Sequence, residues 1–117
     1  QPQLALMLAR LQADRHEWPT AADTLQAASP HAARDAEFQG FHAAILQRAG
    51  RHAEAVEKYG LALRLAPNRG VWWMGLAISL EETGQADTAR AAFQRARSIG
   101  LPEGAAGYVD ARLKQLG

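Results

Sequence analysis

Cysteine is absent from this 117-residue chain, which excludes disulfides, cysteine-based zinc sites and thiol catalysis. It leaves the compartment open. An excess of charge is absent too: the formal net charge is +1, and the basic residues are scattered rather than clustered. That gives no electrostatic footing for nucleic acid or an anionic lipid surface, so neither is expected as a partner. No apolar run approaches the ~20 residues that span a bilayer, and no direct membrane contact is expected from these residues. β-branched residues are few, while alanine is strongly favoured. Alanine loses no side-chain entropy in a helix, so the composition points to an all-α fold. The chain begins at Gln1 rather than methionine, as expected of a piece of a longer protein whose signal or anchor lies upstream.

What is present is a period. Ala21, Ala55 and Ala89 are separated by 34 residues each time, as are Leu25, Tyr59 and Phe93, and then Ala28, Ala62 and Ala96. The same step joins Ala9, Ala43, Ala77 and Ala111, and pairs Gly50 with Gly84. Several independent registers agree on one repeat length of ~34, that of a helix–turn–helix unit. Two antiparallel helices per unit account for the residue types. Ala43 and Ala55 sit where the helices cross and a larger side chain would hold them apart. Tyr59 and Phe93 fill the space between successive hairpins. Gly50 and Gly84 end the first helix of a pair, where positive φ is wanted. Pro67 ends a second helix by restricting Ala66.

The spacing predicts helices over about 3–14, 19–28, 32–49, 52–65, 70–83, 86–98 and 104–116. Ser29 and Pro30 read as the N-cap and first turn of the third helix. The chain is expected to form one domain over 1–117, with repeats at about 2–35, 36–69 and 70–103. The amphipathic segment 104–116 serves as a capping helix over the apolar end of the last repeat.

These residues resemble tetratricopeptide-repeat proteins. The third copy carries Trp73, Leu76, Ala77, Leu80, Gly84, Ala89, Phe93 and Ala96 at signature positions. The second keeps Ala43, Leu46, Gly50, Ala55, Tyr59, Ala62 and Pro67, but has Gln39 and His42 where apolar residues are usual. The first keeps Leu8, Ala9, Ala21, Leu25 and Ala28, and puts His16 in the glycine slot. The resemblance implies a right-handed superhelix of three helical hairpins plus the capping helix.

Side chains that could carry chemistry do not assemble in the sequence. His16, His31 and His52 fall at turns or helix starts, His42 falls at a core position, and no two histidines have i, i+4 spacing. Glu81 and Glu82 are adjacent and diverge by ~100° on a helix. The hydroxyl residues have no neighbouring histidine in a nucleophile-like context, and no glycine-rich phosphate loop is present. Neither catalysis nor a metal or cofactor is expected. Trp73 reads as core within its repeat, and Trp72 as a contact with the preceding hairpin.

In the tetratricopeptide family the first helices line a concave groove that takes protein or peptide partners. Carried over position by position, the partner-binding residues are Leu6, Arg10, Ala44, Gln47, Val71, Met74, Ile78 and Glu81, with Tyr108 and Arg112 from the capping helix. The first helices hold no asparagine, so the carboxylate clamp of the chaperone-binding subgroup is not expected. An apolar or amphipathic segment suits the remaining surface. The block 69–81, with Val71-Trp72-Trp73-Met74-Gly75-Leu76, is similar to the C-terminal repeat region of MSHA-type pilus biogenesis proteins of the MshN kind. That resemblance implies an assembly factor for a type IV pilus or secretion machine, periplasmic or anchored in the inner membrane. Without it a cytoplasmic location is expected. Two alternatives stay open: a self-associating spacer, a homo-oligomer whose groove is filled by its own copy, and a module recruiting substrates to a catalytic domain elsewhere.

Overall fold

Pro2 and Pro19 stand in first helical turns, where a missing N–H leaves no bond unmade. They open the first two of seven helices: α1 (Pro2–Asp14), α2 (Trp18–Ala28), α3 (Ala36–Arg48), α4 (His52–Leu65), α5 (Gly70–Glu82), α6 (Ala86–Ile99) and α7 (Glu103–Leu116). The computed structural model describes residues 1–117 and contains no strand. Three-residue links join α1 to α2, α3 to α4 and α5 to α6 as hairpins, and each hairpin packs on the next. α7 packs on α6. The long axis measures 42 Å against 26 and 25 Å, the proportions of a stack.

The three hairpin turns are built alike. Gly50 and Gly84 have φ of 78° and 80°, and His16, in the same slot, adopts φ of 58°. Backbone N–H groups of Glu17, Arg51 and Gln85 donate to the carbonyls of Gln12, Leu46 and Leu80 at 2.9, 2.8 and 2.9 Å. One bond thus recurs at the 34-residue step and satisfies a helix-end carbonyl each time. The expected crossing points hold, since Ala9, Ala21, Ala43, Ala55, Ala77 and Ala89 are all fully buried. Leu25, Tyr59 and Phe93 are buried between hairpins.

Glycine makes two of the contacts between α3, α4 and α5 possible. A Cβ at Gly40 would fall on the Trp72 indole, and one at Gly75 would fall on the Tyr59 ring. Large rings therefore seat on bare backbone, and α5 comes close to both helices of the preceding hairpin. Burial without a hydrogen bond pushes the Tyr59 phenol up to about 12.

Two expectations need correction. The third helix does not start at 32 behind a Ser29 cap. Ser29–Ala32 form a separate 3₁₀ turn, and α3 starts at Ala36 with Asp35 accepting a hydrogen bond from the Phe38 N–H at 3.1 Å. An ionised carboxylate beside free N–H groups is the better cap. Trp73, expected in the core, is only half-buried: its indole N–H donates to the Pro67 carbonyl at 2.8 Å, and Arg95 lies over its ring. Trp72 takes the buried place because Gly40 leaves room for it.

Candidate functional site

Position five of each first helix carries Leu6, Gly40 and Met74 in turn, and the glycine opens a hole in that row. A cleft of about 270 Å³ results, with walls from α1, α3 and α5. Leu6 and Arg10 line one side, Ala44 and Phe41 the middle, and Val71 the far side. Trp72 and Tyr59, buried by the two glycine contacts, reach its lining from beneath. Four of the expected groove residues (Leu6, Arg10, Ala44 and Val71) therefore meet in one place. Phe41, Tyr59 and Trp72 were not among the expected site residues. The signal was available: a groove glycine facing an aromatic one repeat later.

Charge at the lips of this cleft is unequal. Arg69 pairs with Glu37, and its guanidinium stacks 4.0 Å from the Trp72 ring centre. Arg10 stacks 5.2 Å from the Phe41 ring centre and makes no ion pair. With Glu37 neutralised by Arg69, Arg10 supplies an uncompensated positive charge beside an apolar hole. The ring attracts the guanidinium, whose N–H donors make no hydrogen bond within the chain.

The remaining expected residues are engaged within the stack. Gln47 donates from Nε2 to the Gly75 carbonyl at 2.7 Å and to Ser79 Oγ at 2.8 Å, joining α3 to α5. Met74 and Ile78 are half-buried against the cluster that includes Val109. Glu81 and Arg112 form an ion pair, with Arg112 Nε also 3.2 Å from Glu81 Oε1, and so tie α5 to α7. That bond raises the Arg112 pKa. Tyr108 stays exposed at one edge while its ring meets Phe93 edge-on at 6.3 Å. Desolvation, then the nearby Glu81 carboxylate, raises its phenol.

Folding also creates one pairing that the sequence hid. His52 Nδ1 lies 3.0 Å from Ser79 Oγ across 27 residues. Ser79 Oγ thus meets both the Gln47 amide and the His52 ring. Ser79 is fully buried and no carboxylate orients the imidazole, so the trio is a polar bridge between hairpins. No group of three His, Asp or Glu side chains stands at metal-binding separation, and no helix is long and apolar enough to cross a membrane.

Stacked 34-residue hairpins with glycine-ended first helices match a described repeat: a tetratricopeptide repeat model matches residues 46–113, more than half of the chain. The chain belongs to the tetratricopeptide repeat family. Comparison with curated protein sequences finds no match. Among solved structures, this tetratricopeptide chain is similar to the type III secretion chaperone SycD of Yersinia enterocolitica in complex with a peptide of the translocator YopD. The TM-score is 0.88 at 17% identity, over 97% of this chain and 90% of that one. PcrH of Pseudomonas aeruginosa, in complex with the chaperone binding region of PopD, gives 0.86 at 22% identity, over 97% and 89%. The TPR2B domain of yeast Sti1 in complex with pHsp70 gives 0.85 at 18% identity, over 98% and 94%. At such identities these likenesses carry the fold alone.

Proposed function

We propose that this tetratricopeptide chain is a non-catalytic scaffold for protein–protein interaction. Its cleft between α1, α3 and α5 takes an apolar side chain of a peptide segment with a carboxylate close by. The open hole beside the unpaired Arg10 carries this reading. A pocket of ~300 Å³ is the scale of one or two buried anchor side chains. An apolar anchor desolvated in such a pocket supplies most of the affinity of a peptide complex. Supporting it, SycD and PcrH are seen in complex with segments of the translocators YopD and PopD, and yeast Sti1 with pHsp70.

The finer reading is an envelope assembly factor for a type IV pilus or secretion machine, periplasmic or anchored in the inner membrane. Its support is the resemblance of segment 69–81 to MSHA-type pilus biogenesis proteins, beside the structural likeness to secretion chaperones.

Selection of a random peptide library on the chain tests the scaffold reading. Peptides with a large apolar residue near Asp or Glu should be enriched. Val71→Glu should bind them at least ~10-fold more weakly, a loss of ~1.4 kcal/mol, with unchanged melting because Val71 is exposed. Arg10→Glu should invert the preference toward basic neighbours. No enrichment, or equal binding by Val71→Glu, sinks the cleft proposal. Co-purification with pilus or secretion components bears on the finer reading, which fails if tagged chain in its host never retains them.

A further inference from the structure

The groove between α5 and α6 has no counterpart in the second repeat. At about 100° per residue, Trp73, Leu76 and Leu80 lie on the side of α5 opposite Val71, Met74 and Ile78. With the stripe Thr88, Ala91, Ala92 and Arg95 of α6 they border a cleft of about 380 Å³. One repeat earlier that stripe reads Glu54, Glu57, Lys58 and Leu61, and none of these residues lines a cleft. Long side chains take up that face in the second repeat. Lys58 Nζ donates to Ser29 Oγ at 3.3 Å, and Gln39 and His42, at the positions of Trp73 and Leu76, are fully buried. The third repeat puts threonine and alanine where α4 has longer chains. The hole is therefore written in these residues and not in the repeat architecture.

We propose that this groove is a second peptide-docking site, and that it takes a large apolar side chain flanked by Asp or Glu in a partner protein. Its polar groups argue for that occupant. The Trp73 indole N–H already donates to the Pro67 carbonyl at 2.8 Å, and the Thr88 hydroxyl to the Gln85 carbonyl at 3.3 Å. Arg95 is the one charged residue on the lining; it is exposed and makes neither an ion pair nor a hydrogen bond within the chain. Its guanidinium stands 5.6 Å from the Trp73 ring centre, looser than Arg69 over Trp72 at 4.0 Å. The strongest bond left to the lining side chains is thus one to an anion, and nearly everything beside it is apolar.

A hole of about 380 Å³ has the scale of one or two anchor side chains. Thr88, Ala91 and Arg95 are exposed and leave the groove open along α6. A free acyl chain would lie half in water there, whereas a peptide backbone can cover the mouth while its side chain fills the hole. No residue lines both this groove and the cleft of Leu6, Arg10, Ala44 and Val71, so the site stands whether or not that cleft takes a peptide.

Selection of a random peptide library on the Val71→Glu chain, whose first cleft is closed, tests this. Peptides with a large aromatic or aliphatic residue beside Asp or Glu should be enriched. Their binding should shift the indole N–H resonance of Trp73 and leave that of Trp18 in place. Adding Thr88→Glu with Ala91→Glu gives α6 the acids that α4 carries as Glu54 and Glu57, and should weaken these peptides at least ~10-fold. Arg95→Glu should turn the preference toward Lys or Arg neighbours. All three α6 sites are exposed, so circular dichroism should show each variant folded. Enrichment on the wild type but none on Val71→Glu overturns the proposal, because the first cleft is then the whole binding surface. No enrichment on either chain overturns it as well. So does equal binding by the Thr88 and Ala91 variant, or a shift at Trp18 with none at Trp73. A taste for acidic peptides that survives Arg95→Glu overturns the carboxylate assignment.

Discussion

Leu4 and Phe38 occupy the same position in successive repeats, as do Leu8 and His42. Leu4 stands in solvent and Phe38 is fully buried; Leu8 is half in solvent and His42 wholly out of it. The difference is the neighbour. Each first helix after α1 lays this face against the hairpin before it, whereas α1 has no hairpin before it in these residues. Burial in a stack is thus a property of the repeat junction, and the same helix face can be core or surface. The two junction types also differ in fit. α3, α4 and α5 mesh through shaped pairs, Trp72 on Gly40 and Tyr59 on Gly75, while α1 offers only flexible leucine and methionine.

The strongest test of this contrast is Phe38→Ala, which empties a fully buried site between hairpins. It should cost about 3–5 kcal/mol in urea unfolding at dilute concentration. A loss below about 1 kcal/mol would mean that the junction is loose and the comparison with Leu4 empty.

Next comes acid. His42 is fully buried, and neither ring nitrogen has a hydrogen-bond partner. Desolvation, then the charges of Lys58 and Arg51 opposed by Glu54, hold its pKa at about 4, down from 6.5. The unfolded chain therefore takes the proton first. Stability should fall as pH drops from about 6.5 to about 4, by at most about 3 kcal/mol, and His42 should not affect it above 6.5. His42→Leu, the residue found at Leu8 and Leu76, should flatten that slope. An unchanged slope would place water or a partner at the imidazole.

A smaller effect is expected at Gly40. Gly40→Ala puts a methyl group into the Trp72 indole and should cost about 1–3 kcal/mol as overpacking. Unaltered melting would mean that Trp72 can leave its seat.

Smallest of all should be Leu4→Ala at dilute concentration, at about 0.5 kcal/mol or less, since an exposed side chain has little packing to lose. A cost near that of Phe38→Ala would show α1 already covered.

Much of the fold was legible because the repeat writes each packing role several times. Ala21, Ala55 and Ala89 announce one crossing point three times, and His16 was placed in a glycine slot by Gly50 and Gly84 alone; its φ of 58° follows. The cap of α3 is ambiguous in the sequence because Ser29 and Asp35 are both good caps, and the 3₁₀ turn between them leaves no periodic trace. The groove was legible as a row of positions but not as a cleft. Glu81 belongs to that row, yet Arg112 of α7 pairs with it, and Met74 and Ile78 are half-buried against the core of the third hairpin. Whether a groove residue is free depends on the next helix's side chains, which lie 31 residues away in the Glu81–Arg112 pair.

The sequence by itself determined the period, the turns, the alanine crossings and the order of hairpins, because these depend on local backbone preference and on small residues at fixed steps. Only the tertiary structure decided that Trp73 is half-exposed, that Ser79 meets His52, and that Leu6, Arg10, Ala44 and Val71 share one cleft. Those outcomes depend on which atoms of different repeats arrive at the same point, through contacts that no single repeat contains.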